Sequence, residues 1–297
     1  MVKMYDKSNI FGIVGSDNNP KLKNDEVIIW DDLKNKIIYK FLLKKKVLNL
    51  LLTLDKIVIV CRRNIYVYNL QKDLIDFQLI DIIKSGGNDL GLVAINYNPK
   101  NFIIVYPSTG ESKGKLTIKS YKSKNYLYLN PHNSNITCIT LNKNGNLLAT
   151  ASENGEEIRI FDTKNGELLD ELYRKRENNN NIKFIFIDSD NKYVGTSCQN
   201  GVISVWSLKK SMNNIDESEK KPFEEENIDI SNIHGNFINK ETNIKEIILK
   251  DKTYENIQFG INNILIIITA DGQYFKVKFK VNKEKDDYQV IKQDQLF

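Results

Sequence analysis

The amino-acid sequence predicts an all-β fold assembled as a ring of repeated sheets, and three observations carry that expectation. A short pattern of alternating apolar residues ending near an aromatic, followed by a polar turn, recurs six times. It begins at Val27 (VIIWDD), Ile65 (IYVYNL), Leu116 (LTIKSY), Ile158 (IRIFDT), Ile203 (ISVWSL) and Tyr274 (YFKVKF). Most successive starts lie roughly 40–50 residues apart, the period of WD-type propeller blades. A second apolar strand precedes each copy: FGIVG, KIVIV, NFIIVY, LLATAS, YVGTS and LIIITADG.

Each element has the chemistry its place requires. Side chains alternate between two faces, and β-branched and aromatic types dominate, which suits a strand packed on both sides. Polar turns such as Glu153-Asn154-Gly155 and Gln199-Asn200-Gly201 separate the paired strands. Strand, turn, strand at this period is the inner part of a four-stranded blade. The segment from Leu33 to Lys46 reads as an outer strand leading into the next blade. Trp30 and Trp206 are expected to pack between blades, and Asp31 and Asp162 to bond within turns. Thr117 and Lys119 are expected on an outward face. The whole of 1–297 reads as one propeller domain.

One stretch breaks the pattern. Between 211 and 239 the acids Asp216, Glu217, Glu219, Glu224, Glu225, Glu226 and Asp229 stand against Lys220 and Lys221. It reads as a mobile acidic loop inserted within a blade. The asparagines Asn178 to Asn181 read as a shorter polar loop.

Composition narrows the function. The 297 residues are 41% hydrophobic and 27% charged, enough apolar material for a core. A net charge of +5, from 43 basic and 38 acidic residues, permits an anionic partner. It falls short of the bias of a nucleic-acid binder, so no nucleic acid is expected. Cys61, Cys138 and Cys198 are far apart, an odd set that argues for a reducing compartment. With two histidines, His132 and His234, no metal site or cofactor is expected. The N-terminus lacks the pattern of a signal peptide, and the apolar run from Ile261 to Ala270 is too short to span a bilayer. The stretch Gly110 to Lys115 (GESKGK) has the wrong spacing for a phosphate loop, and no GxSxG elbow occurs. The reading is a binding scaffold, not an enzyme.

From Asn146 to Thr163 the sequence NLLATASENGEEIRIFDT strongly resembles the PROPPIN family, the phosphoinositide-binding β-propellers of autophagy. The resemblance continues at Val27 to Leu33, preceded by Ile13-Val14-Gly15 and Pro20-Lys21. It returns at Val105-Tyr106-Pro107, at Cys138 to Asn142 and at Ala270 to Phe275, in family order. It implies a seven-bladed propeller. Six blade patterns are recognisable here, and the family's opening blade has no counterpart before Val2. Either the chain is truncated or the ring closes with six. The strand near Val2 to Tyr5 is accordingly expected beside the C-terminal blade or flanking a gap.

The resemblance also implies a site. The family's Phe-or-Leu, Arg, Arg, Gly motif falls where this chain reads Glu171-Leu172-Tyr173-Arg174-Lys175-Arg176. One register puts Tyr173 and Arg174 at the two basic positions; a register shifted by one puts Arg174 and Lys175 there. Arg159 matches a family binding arginine and His132 a family histidine. Thr196 and Ser197 fall near family hydroxyl donors, while Cys198 and Asn200 stand where Ser and His are often found. Head-group phosphates would be met by such charge-assisted donors, with Arg159, Arg174 and Lys175 expected on the rim rather than in the core. Each residue also has a purely structural reading. Arg159 could pair with a carboxylate of a neighbouring blade, the basic cluster could be a solvated loop, and His132 could be the structural histidine of its blade.

The resulting expectation is a cytoplasmic scaffold, peripherally recruited to endosomal, vacuolar or autophagic membranes. It would recognise phosphatidylinositol 3-phosphate or 3,5-bisphosphate and bind autophagy-type protein partners. In the family an added membrane contact follows the equivalent of ISVWSL, where Phe223, Ile228, Ile230, Ile233 and Phe237 could insert. The alternative is a protein-interaction propeller that has lost strong lipid binding.

Overall fold

The computed structural model describes residues 1–5, 8–17, 21–70, 77–110, 113–174, 181–198, 201–208, 245–248, 254–260, 262–280 and 287–295. The acidic segment 211–239, Asn178 to Asn180, Lys175 and Arg176 lie outside them.

Period-two alternation of apolar residues yields antiparallel strands, and these assemble as six four-stranded sheets. The first holds β1 (Val2–Met4), β2 (Ile10–Val14), β3 (Glu26–Asp31) and β4 (Lys36–Leu42). The second holds β5 (Val47–Leu52), β6 (Lys56–Cys61), β7 (Asn64–Leu70) and β8 (Phe77–Lys84). The third holds β9 (Ala94–Ile95), β10 (Ile103–Pro107), β11 (Leu116–Ser120) and β12 (Tyr126–Leu129). The fourth holds β13 (Ile136–Leu141), β14 (Leu147–Ser152), β15 (Glu157–Asp162) and β16 (Leu168–Tyr173). The fifth holds β17 (Ile182–Ile187), β18 (Tyr193–Cys198), β19 (Val202–Ser207) and β20 (Lys245–Ile248). The sixth holds β21 (Tyr254–Phe259), β22 (Ile264–Thr269), β23 (Gln273–Lys280) and β24 (Asp287–Gln295). Every copy of the recurring pattern forms the third strand of its sheet, and β4 is the outer strand expected between Leu33 and Lys46.

Because both faces of each inner sheet are apolar, the cores lie between sheets. Five buried clusters join first to second, second to third, and so on to the sixth. The aromatic of the repeat packs toward the preceding sheet. Phe161 lies in the core shared with the third sheet and Trp206 in the core shared with the fourth, both fully buried. Burial of such a side chain contributes about 1.5–3 kcal/mol.

The first sheet departs from this rule. Its face turned away from the second sheet carries Val2, Met4, Phe11, Ile13, Ile28 and Trp30, and none of these is buried. Val2 is 59% and Met4 53% exposed. No buried cluster among the described residues links the sixth sheet to the first. The N-terminal strand is therefore the first strand of the first sheet, with its outer face open.

Polar clasps tie neighbouring sheets at one end. Tyr5 Oη donates to Leu54 O at 2.8 Å, Asn96 Nδ2 to Asn144 O at 3.1 Å, and Asn142 Nδ2 to Asn191 Oδ1 at 3.0 Å. Asp31 and Asp162 accept from the backbone N–H groups of Lys34 and Lys164, turn bonds as expected. Thr117 and Lys119 do not face outward. Thr117 is buried, 2.8 Å from Ser108 Oγ, and the Lys119 ammonium is ion-paired with Asp81 of the second sheet.

Candidate functional site

The fourth sheet positions the basic residues. Along β15 the odd and even side chains part. Ile158 and Ile160 enter the core shared with the fifth sheet, so Arg159 points toward the third. Pairing of Thr150 with Arg159, and of Arg159 with Glu171, places these three on one face. The Arg159 guanidinium donates through Nη1 to Pro131 O. Its Nη2 lies 3.0 Å from Glu157 Oε2 and its Nε 2.8 Å from Glu171 Oε1. The Nε–H is not aligned on that carboxylate as a hydrogen bond. Tyr173 Oη donates to the other oxygen of Glu171 at 3.0 Å.

His132 completes this groove from the loop between β12 and β13. Its Nε2 lies 3.0 Å from Thr150 Oγ1, and the ring is buried. Gly114 lets the third sheet press against that loop: φ is +75°, and a Cβ there would fall 1.6 Å from His132 O. Burial, reinforced by the nearby Arg159 charge, lowers the His132 pKa to about 4. The ring is neutral at pH 7 and offers a dipole rather than a charge.

Arg174, at the end of β16, turns to the other side. It is buried rather than on the rim where sequence places it. Its Nε donates to Gly155 O at 3.1 Å and its Nη1 to the Cys198 thiol of the fifth sheet. Thr196 shares the Cys198 face of β18, opposite Ser204 of β19. Ser197 pairs with Ile203, whose side chain enters the core shared with the sixth sheet, so its hydroxyl points away from Arg174. The hydroxyls of Thr196, Ser197 and Ser204 are buried without a partner among the described residues.

The sequence-predicted residues thus fall into two groups. His132 and Arg159 face the groove between third and fourth sheets. Arg174 and Thr196 face the junction of fourth and fifth. Ser197 joins neither, and Lys175 and Arg176 lie outside the described residues. Sequence reasoning missed Glu157, Glu171, Thr150 and Ser204. Glu157 was legible as the residue two before Arg159 on the same strand face. Glu171 and Thr150 depend on hairpin register, which sequence alone does not supply.

Six four-stranded sheets in succession, with an arginine on each face of the fourth, define a β-propeller. The PROPPIN family model matches residues 7–264, and the chain belongs to that family. It is 27% identical to autophagy-related protein 18e of Arabidopsis thaliana over 281 residues, 94% of this chain and 72% of the relative. It is 28% identical to autophagy-related protein 18 of Caenorhabditis elegans over 69% of this chain and 48% of the relative. The fold matches Kluyveromyces lactis Hsv2 with a TM-score of 0.74 at 18% identity, covering 99% of this chain and 86% of that one. It also matches KlAtg21, solved in complex with the coiled-coil of AgAtg16, with a TM-score of 0.76 at 18% identity over 100% of this chain and 85% of that one. The chain is an autophagy-related β-propeller and not an enzyme. Among the described residues no helix is long and apolar enough to cross a membrane.

Proposed function

We propose that this propeller is a phosphoinositide-binding scaffold, recruited peripherally to membranes carrying phosphatidylinositol 3-phosphate or 3,5-bisphosphate. The observation that carries this reading is the divergence of Arg159 and Arg174 to opposite faces of the fourth sheet. The fourth sheet thereby contributes a cation to each of two neighbouring junctions: Arg159 on the same face as Thr150, and Arg174 bonded to Cys198, which shares a strand face with Thr196 of the fifth sheet. Two weak head-group contacts on one rigid body reinforce each other on a membrane. Lys175 and Arg176 follow Arg174 directly and would add charge at the second site. Flotation of the purified chain with vesicles containing or lacking these lipids tests the reading. Equal flotation on both would reject it.

A protein-interaction role is favoured by a different observation. The Arg159 guanidinium is already engaged by Glu157 and Glu171, so phosphate must compete with two carboxylates. KlAtg21 was solved with a coiled-coil of AgAtg16, and a coiled-coil partner of this chain is the corresponding expectation. Vesicle-independent capture of such a coiled coil, with no lipid-dependent flotation, would select this second role.

A further inference from the structure

A second basic site lies one inter-sheet junction away from the Arg159 groove. At the junction of the second and third sheets a cavity of about 490 Å³ is lined by Arg63, Asn64, Lys84, Ser85, Gly86, Gly87, Thr109 and Gly110. None of the described residues that line it is acidic. Arg63 follows β6 and its carbonyl accepts from Ser85 N at 3.1 Å, while Lys84 ends β8 paired with Asn64. Both cations are exposed, and neither has an acidic partner among the described residues. The acids of the adjoining cavity are engaged elsewhere: Asp89 with Arg62 at 2.6 Å, and Glu153 with Asn135 Nδ2 at 2.9 Å.

The floor of the cavity is fixed in advance. Gly86 N donates to Pro107 O at 3.1 Å, and a Cβ on Gly86 would fall 2.3 Å from Ser108 O, so only glycine lets these two loops meet. Ser85 is buried, and its hydroxyl has no partner among the described residues. Gly87 and Gly110 present bare backbone with open space on their side-chain side. A guanidinium, an ammonium, an unspent hydroxyl and uncovered backbone around one cavity suit a tetrahedral dianion.

We propose that this cavity binds a phosphomonoester group, through Arg63 and Lys84 as charged donors and Ser85 and the glycine loops as neutral ones. The group could reach it on a soluble molecule or on a lipid head group, and the chemistry is shared. The site is independent of the lipid reading above, because it uses none of the same residues.

The test uses the full chain carrying Arg159→Ala, so that the groove on the fourth sheet does not contribute. Calorimetric titration with inorganic phosphate should give saturable binding. Arg63→Gln with Lys84→Gln should weaken it about a hundredfold, since each charge-assisted contact is worth about tenfold or more. Ser85→Ala should weaken it several-fold, and the charge-conserving pair Arg63→Lys with Lys84→Arg should restore most of it. Both cations are exposed, so the melting temperature should not move. Flotation with phosphatidylcholine vesicles with and without phosphatidic acid then identifies the source. Loss of phosphatidic-acid flotation in the glutamine pair assigns a lipid head group, and phosphate binding without flotation assigns a soluble ligand. No saturable phosphate binding by the parent, or equal binding by the glutamine pair, overturns the proposal.

Discussion

Arg159 and Arg174 leave the fourth sheet on opposite faces, one toward Pro131 and the groove shared with the third sheet, the other toward Cys198 of the fifth. Fifteen positions apart in sequence would not reveal this. It follows from strand alternation in β15 and from the place of Arg174 just beyond β16. The two residues also differ in burial, and their replacements should therefore behave differently.

Replacing Arg159 by Ala should lower affinity for vesicles bearing 3-phosphorylated inositol lipids by about tenfold, the worth of one charge-assisted contact. The reverse effect is expected from Glu171→Gln, which removes a competing carboxylate. Flotation titrations of both variants read the two directions at once. A loss of affinity in Glu171→Gln would show that the ion pair positions Arg159 rather than competing for it.

Arg174→Ala should cost stability. It removes a buried side chain that bridges Gly155 O and the Cys198 thiol across two sheets. The expected loss is about 1–3 kcal/mol, read as a lower urea midpoint. A variant as stable as the parent would place Arg174 on the rim, as the sequence suggests.

His132 links stability to acidity. Its pKa is depressed from 6.5 to about 4 by burial and by Arg159, so the fold holds the ring neutral. The contribution is fully present above the unfolded value and is lost as pH falls from 6.5 toward 4. Its size is at most about 3 kcal/mol. Melting temperatures between pH 7 and 4 should fall less steeply for His132→Gln than for the parent.

The two tryptophans should report the open face. Trp206 is fully buried, whereas Trp30 is half-exposed, its Nε1 donating to Asp32 Oδ1 at 3.4 Å. Acrylamide should quench Trp30 emission readily and Trp206 hardly at all. Trp206→Ala should cost about 3–5 kcal/mol and Trp30→Ala clearly less.

Much of the architecture is legible in the sequence because it is local. The alternation and its closing aromatic name the third strand of every sheet. What failed was non-local. Lys119 reads as outward from its strand, but Asp81 of the preceding repeat captures it, and Tyr121 Oη donates to the same carboxylate at 2.7 Å. Arg174 reads as a rim residue because it sits in a basic run, yet its partners come from a turn nineteen residues earlier and from the next sheet. Thr196 and Ser197 both fall near family hydroxyl donors by the resemblance, yet alternation sends Ser197 to the face opposite Thr196.

Among the described residues the five cores join the sheets in a line, so the second to fifth sheets are each held on both sides and the first and sixth on one. Such an array loses order from its ends. Backbone amides of β2 and β22 should exchange with solvent well before those of β14 and β15, where Leu147, Ala149, Ile158 and Ile160 are fully buried. The sheet that carries both arginines is therefore among the last to melt, and the geometry between them outlives the order of the terminal sheets.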